Sequence, residues 1–356
     1  MHKDLELIQK LTEGFGASGF ENEIAALIKE ELYDYSFTFE SDNLGSLIVH
    51  YQSDPKLPHI AFYAHMDEVG FIVSRIEDNG FLRFNSLGGF NKKIMLSERV
   101  LIRTYNGDVV NGLIPSDIIE KDFKTFENFY IDIGATSKQE VLDLGINVGS
   151  PIIFDSKFIY LRNDLFMCKA LDDRICAYSL IMALKQMATE SINANVTAVF
   201  TVQEEVGCRG ARTSSFMVNQ DVAFALDVTD SFDIYDGNPL SDCKVNNGIA
   251  LSVIDGGTIA HRGLLNYLVS LFNKNKLLYT FDPMAVGGTD SSQVHIIKNG
   301  VINLTISLPV RYMHSPNTIG SLKDASIMTD AVLMIVEDLD NAKLLKIKES
   351  KFERFK

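Results

Sequence analysis

The chain has 356 residues, too many for one ordinary core and enough for a large domain with a smaller one beside it. Apolar residues make up 46% and charged residues 22%, with only 8 prolines, which describes a globular rather than a disordered chain. Acidic residues outnumber basic ones 47 to 33, for a formal net charge of -14, and that excess argues against nucleic-acid partners and against a polybasic membrane-binding surface. No apolar run approaches the ~20 residues needed to span a bilayer. Charges at Lys3, Asp4, Glu6 and Lys10 do not fit a signal peptide. Cys168, Cys176, Cys208 and Cys243 form no C-x-x-C pair and are too sparse for a disulfide framework, so the expectation is a cytoplasmic protein with reduced thiols.

In chain order, Leu5, Ile8 and Leu11 share one helical face, and Gly14, Gly16 and Gly19 then break the pattern. Ser18 and Glu21 have the spacing of a capping box ahead of a helix carrying Ile24, Leu27, Ile28 and Leu32. Strands are predicted at Leu47–Tyr51 and His59–Ala64. The second is wholly apolar after its histidine, as expected of a strand covered on both faces. Short β-like runs follow at Gly70–Arg75, Gly80–Phe84, Arg99–Tyr105, Val109–Ile114, Phe129–Ile133 and Pro151–Phe154, separated by turn signals such as Asp78-Asn79-Gly80. Strands at that spacing without long helices suggest a small barrel or sandwich.

From Asp172 onward helices and strands alternate again. Helices are expected at Arg174–Met187, Leu264–Phe272, Ser291–Lys298 and Leu322–Leu339, and strands at Val196–Val202, Ala223–Val228, Ala250–Ile254 and Val301–Ser307. The simplest arrangement is an α/β domain, residues 1–69 with 162–356, interrupted by a β-rich insertion over 70–161.

The residues that carry chemistry stand at the ends of these strands, where open α/β sheets bind ligands. His65-Met66-Asp67 follows the second strand, and period-2 spacing puts His65 and Asp67 on one side of an extended chain. One could hold a metal while the other orients the imidazole. Asp172 and Asp173 open a helix, where capping and dipole chemistry would also explain them. Glu204 and Glu205 follow Val196–Val202. Adjacent residues of an extended chain face opposite ways, so both can reach one site only if the backbone turns. Asp227 ends a further strand, and Arg311-Tyr312-Met313-His314 follows the last. Histidines and carboxylates gathered this way form a ligand set suited to zinc, cobalt or manganese, with one carboxylate able to bridge two ions and another free to act as general base.

The order of motifs resembles that of the tetrahedral aminopeptidases, the glutamyl- and deblocking-aminopeptidase group of metallopeptidase family M42. The resemblance spans nearly the whole chain. It rests on A-H-M-D-E-V-G at Ala64–Gly70, K-A-L-D-D-R at Lys169–Arg174, V-Q-E-E-V-G-x-R-G-A at Val202–Ala211, A-L-D-V at Ala225–Val228, G-G-T-D-S at Gly287–Ser291 and R-Y-M-H at Arg311–His314.

It implies a phosphorylase/hydrolase-like α/β fold with a mixed central sheet flanked by helices. The barrel-like insertion would serve dimerisation within a homo-oligomer, most simply a dodecamer built from dimers. It implies two divalent metal ions, zinc or cobalt: one on His65 and Asp227, the other on Glu205 and His314, with Asp172 bridging and joined to Asp173 by a cis peptide. Glu204 would be the general base and acid, and Asp67 would hold His65.

The implied activity is removal of N-terminal residues from short peptides. The same scaffold could instead hydrolyse N-acylated amino acids or blocked peptides. A glycosidase would have no use for two histidines and a bridging aspartate, and a non-catalytic scaffold need not retain Glu204. His261 matches a position that could approach the reacting carbonyl, with a polar contact at a helix start as the competing account. Gly287–Ser291 is expected to shape the pocket floor. His2, His50, His59 and His295 have no motif around them. Cys168, Cys176 and Cys208 are read as buried fillers, and no pattern is assigned to the basic stretch Lys343–Lys356.

Overall fold

Strands buried along nearly their whole length become the middle of one sheet. The computed structural model describes residues 3–52, 54–116, 126, 128–190, 192–239, 241–282 and 287–352. Its first part runs α1 (Lys3–Glu13), α2 (Asn22–Leu32), β1 (Thr38–Ser41), β2 (Leu47–His50) and β3 (His59–His65). A β-rich stretch follows: β4 (Gly70–Ile76), β5 (Leu82–Leu87), β6 (Arg99–Arg103), β7 (Val109–Leu113), α3 (Lys138–Asp143) and β8 (Pro151–Phe154). The chain then returns through β9 (Ile159–Tyr160), β10 (Leu165–Cys168), α4 (Leu171–Met187), β11 (Asn195–Thr201), α5 (Arg209–Met217), β12 (Val222–Asp230) and β13 (Ile249–Ser252). It finishes with α6 (Arg262–Asn275), β14 (Tyr279–Asp282), α7 (Ser291–Val294), β15 (Ile302–Val310), β16 (Thr318–Ser321), α8 (Leu322–Asp338) and α9 (Asn341–Glu349).

The central sheet has the order β1-β2-β11-β3-β12-β15-β13-β14, with β11, β3, β12 and β15 parallel and β1, β2 and β13 antiparallel to their neighbours toward the centre. Alternate residues of β3 divide between its two faces. Ile60, Phe62 and Ala64 join the main core under α1, α2, α4 and α8, while Ala61 and Tyr63 join a smaller one with Ala211 and Val294 of α5 and α7. Both faces are covered, so the sequence shows no polar alternation. The parallel register also brings the chemistry level: Thr201 pairs with His65 and Asp227 with Ser307.

The β-rich stretch forms a separate five-stranded antiparallel sheet, order β5-β4-β8-β6-β7, around its own core of Phe71, Phe84, Phe129 and Phe154. The expected strand Phe129–Ile133 shrinks to two bridging residues, and these close the sheet. Ile131 exchanges backbone hydrogen bonds with Leu82 of one edge strand, and Asp132 with Leu113 of the other. Joining the two edges removes the open hydrogen-bonding rows that would otherwise invite aggregation.

Several sequence expectations are corrected. The Ser18/Glu21 capping box does not form. The helix starts at Asn22, its N-cap Glu21 makes no side-chain cap bond, and the Ser18 hydroxyl donates to Asp67 Oδ2 at 2.6 Å. The helix expected over Ser291–Lys298 is one turn, Ser291–Val294, and the basic C-terminal stretch carries α9, capped by Asp340. Strands β1, β9, β10, β14 and β16 are four residues or fewer, too short to show a period. His2 lies outside the described residues.

A buried cation ties these pieces together. Arg174, fully buried in α4, donates to the backbone carbonyls of Leu11, Gly14, Gly16 and Met66 and to Glu68 Oε1. Lys169 binds the same carboxylate at 2.8 Å. Breaking such a pair from one side typically costs about 3–5 kcal/mol. The cluster therefore fixes the first helix, the loop after β3 and the start of α4 as one unit.

Candidate active site

Most of the chemical residues are delivered by a parallel strand of the central sheet or by the loop beyond it, and Asp172 by the turn from β10, in the small antiparallel sheet, into α4. His65 is the last residue of β3, and its ring is buried. Its Nδ1 lies 3.1 Å from the Asp67 backbone oxygen and 3.5 Å from Asp67 Oδ1, so Nε2 is left to face the cavity. The Asp67 carboxylate also accepts the backbone N–H groups of Glu204 at 2.9 Å and Glu205 at 3.2 Å. It thereby pins the turn that carries both glutamates. Gln203 has φ +56 and leaves the extended line of β11, and this is the backbone turn that brings both adjacent side chains into one cavity.

Asp172 enters from the start of α4, where Ala170 is left-handed, Asp172 and Asp173 have non-helical angles and the peptide between them is cis. Its Oδ1 lies 2.9 Å from His65 Nε2 and its Oδ2 3.0 Å from His314 Nε2. Asp227 Oδ1 is 4.0 Å from His65 Nε2, and Glu205 Oε2 is 3.3 Å from His314 Nε2. Two groups of potential ligand atoms result, His65–Asp172–Asp227 and Asp172–Glu205–His314, each within 4.8 Å and sharing Asp172. Glu205 Oε1 is buried with no hydrogen-bond partner, which suits a cation and little else. The imidazole and carboxylate donors are those that zinc and its neighbours take.

The electrostatics are those of an anionic cluster crowded together. Burial, then the charges of Asp290 and Glu205, pushes Glu204 well above the usual carboxylate range. Burial and Asp172 push Asp227 up likewise and Glu205 to about 8. Asp172 goes the other way: against its burial, hydrogen bonds from His314 and His65 hold it low. Burial opposes charging of both histidines, but hydrogen bonds that His65 donates to Asp172 and Asp67 hold it well above its ordinary value, and the charge of Glu205 with Asp172 takes His314 to about 10.

The cavity over these groups has a volume of about 350 Å³. Gly287, Gly288 and Thr289 line it, as expected of the glycine-rich motif, and Gly89 reaches it from the loop after β5. Gly88 in that loop has φ +90, and a Cβ there would stand 2.8 Å from Val69 Cγ1 and 3.3 Å from Glu205 Cβ, so only glycine fits. His261 does not line the cavity. It caps α6, accepting from Leu264 N at 3.3 Å. Sequence reasoning missed Asp255 and Asp282, which lie in loops and a short edge strand without a motif yet line the cavity. Reading Cys208 as a filler is also corrected, because its thiol lines the cavity and touches Glu204 Oε1 at 3.0 Å.

This geometry has relatives. A family model described as M42 glutamyl aminopeptidase matches residues 45–330. The TET aminopeptidase from the marine sediment archaeon Thaumarchaeota archaeon SCGC AB-539-E09 superposes with a TM-score of 0.91 at 34% identity, covering 97% of this chain and 99% of that one. A Pyrococcus horikoshii TET1 peptidase, which can assemble into a tetrahedron or a large octahedral shell, gives 0.86 at 29% identity over 95% of this chain and 100% of that one. The lysyl aminopeptidase of Pyrococcus furiosus is 29% identical over 94% of this chain and 97% of its own length. Fold, motif order and the match over most of its length agree: the chain belongs to the M42 family of aminopeptidases.

Proposed function

We propose that this chain is a metal-dependent aminopeptidase that removes N-terminal residues from short peptides, using two divalent ions, zinc or cobalt. The observation that carries this reading is the single carboxylate of Asp172 set between two histidines, each with a further carboxylate beside it. His65 and Asp227 would hold one ion and Glu205 and His314 the other, with Asp172 shared; bound there, the ions would acidify a water and polarise the scissile carbonyl. Glu204, in the same cavity and bound by neither group, takes the proton of the attacking water and returns it to the leaving amine. Asp67 keeps Glu204 and Glu205 aimed through their backbone N–H groups.

Charge counting narrows the substrate. Two divalent ions are balanced by Asp172, Glu204, Glu205 and Asp227. Asp255 and Asp282, the latter accepting from the Thr229 hydroxyl, make the cavity lining more acidic still, and among the described residues no lysine or arginine lines it. Such a lining favours a free α-ammonium and a basic N-terminal side chain, whereas an N-terminal glutamate adds repulsion. Of the specificities named for its relatives, lysyl therefore suits this cavity better than glutamyl. Lysyl, norleucyl and glutamyl p-nitroanilides test this, since norleucine is lysine without its ammonium. Lysine is expected to exceed norleucine by about tenfold in kcat/KM, the worth of roughly 1.4 kcal/mol, and glutamate to be slowest. N-acetylation should slow cleavage severely. Faster cleavage of acetylated substrates would establish the deacylase reading instead.

We further propose that residues 70–161 form an insertion domain through which chains dimerise on the way to a dodecamer in the cytoplasm. Tyr105 and Val148 of that segment line one surface hollow and are 71% and 58% exposed, and neighbouring exposed apolar residues of this kind would serve such a contact. Light scattering at micromolar concentration should give a mass many times that of one chain, and an active monomer would refute the assembly.

A further inference from the structure

Cys208 stands where the turn after β11 meets α5, with a left-handed backbone (φ +51), and is 7% exposed. Its thiol contacts Glu204 Oε1 at 3.0 Å and the Thr289 carbonyl at 3.4 Å, and the Ser292 hydroxyl points at its sulfur from 3.5 Å. Asp290, from the loop before α7, is 3% exposed. One of its oxygens accepts from the Thr201 hydroxyl, and the other, Oδ1, is buried without a hydrogen-bond partner. Glu204, Cys208 and Asp290 each offer a ligand atom within 4.8 Å of the others, in a group separate from the two that share Asp172.

We propose that Glu204, Cys208 and Asp290 form a third cation site, selective for thiophilic divalent ions such as cadmium or excess zinc, whose filling shuts the enzyme by sequestering Glu204. Sulfur sets the selectivity, because magnesium and calcium gain nothing from a thiolate while zinc and cadmium do. Zinc–sulfur and zinc–oxygen bonds of about 2.3 and about 2.1 Å place three donors roughly 3.5 Å apart; Cys208 Sγ and Glu204 Oε1 already lie 3.0 Å apart and all three donors within 4.8 Å, so small side-chain adjustments suffice. The Sγ–metal bond forms as the thiol proton leaves for solvent, and no oxidation state changes. The Ser292 hydroxyl is placed to donate to the thiolate. Inhibition rests on the proposed role of Glu204 as base; binding does not.

The test is a cadmium titration of the metal-loaded protein, followed by the ultraviolet thiolate-to-cadmium charge-transfer band and by metal content after gel filtration. The two histidine–carboxylate groups contain no sulfur and are silent in that band. The unaltered protein is expected to show the band and take up one further equivalent. Cys208→Ser should show neither, and Asp290→Asn, which keeps an acceptor for Thr201, should bind about tenfold more weakly. Excess zinc should slow peptide cleavage by the unaltered protein about tenfold or more and leave Cys208→Ser nearly unaffected. The same band and stoichiometry in Cys208→Ser, or no band in the unaltered protein, would overturn the site. If no peptide is cleaved at all, the cadmium band still decides it. Should Cys208→Ser fail to fold, cadmium must protect Cys208 from alkylation in the unaltered protein as mapped by mass spectrometry, and absence of protection overturns the proposal equally.

Discussion

Glu204→Gln and Glu205→Gln are expected to be comparably inactive and to differ in metal content. Glu205 Oε2 lies 3.3 Å from His314 Nε2 and its Oε1 is a buried orphan, so replacing the carboxylate by a neutral amide removes an anionic donor from one ion group. Elemental analysis should find that metal reduced in Glu205→Gln and partly restored by excess. Glu204 belongs to neither of the groups sharing Asp172, so Glu204→Gln should keep both ions and lose only the proton acceptor. A positioned general base is worth typically ~10²–10⁴ in rate, and added metal should not restore it. Metal loss in Glu204→Gln with retention in Glu205→Gln would exchange their roles. Near-normal activity in both would reduce the pair to a solvated loop.

What the sequence revealed followed its physical regularities. The parallel strands were legible because both faces are covered: β3 reads as an apolar run after His59 and β12 is apolar up to Asp227, while β11 and β15 keep mostly apolar residues between buried Asn, Thr and Ser. The acidic and histidine residues were legible because they follow those runs, and the register of the sheet then sets His65 beside Thr201 at the same height. What stayed hidden depends on tertiary partners. Ser18 and Glu21 have the spacing of a capping box, but their side chains answer to Asp67 and to the backbone of Gly19 and Gln203. No local pattern distinguishes the two outcomes. Asp255 and Asp282 acquire meaning only when the fold brings them into the lining of the cavity that also holds His314. Cys208 lies inside a motif yet looks inert until Glu204 and Asp290 fold around it. The β-like run at Phe129–Ile133 was legible, but not that only Ile131 and Asp132 of it would pair, one with each edge of the small sheet.

Asp172→Asn should damage the site more broadly than any other single change, because one carboxylate faces both histidines, through Oδ1 at 2.9 Å and Oδ2 at 3.0 Å. An asparagine keeps the shape but replaces one oxygen with an NH₂ group that has no lone pair to offer a cation and turns an acceptor into a donor. At least one ion should be lost and activity should fall by about 10³ or more, comparable to loss of the base. The stability readout is independent of turnover. An ion present at about 1,000 times its Kd adds roughly 4 kcal/mol to a folded chain, and at about 2 °C per kcal/mol for a large domain this is a rise in Tm of roughly 8 °C. Chelation should therefore lower the melting temperature of the unaltered protein by that order, and restored zinc or cobalt should recover it. Asp172→Asn should melt near the chelated value with or without metal, because the neighbouring carboxylates lose the charge that gathers them. A variant that retained both ions and the full metal-dependent rise would show that the two groups bind separately and that Asp172 does not join them.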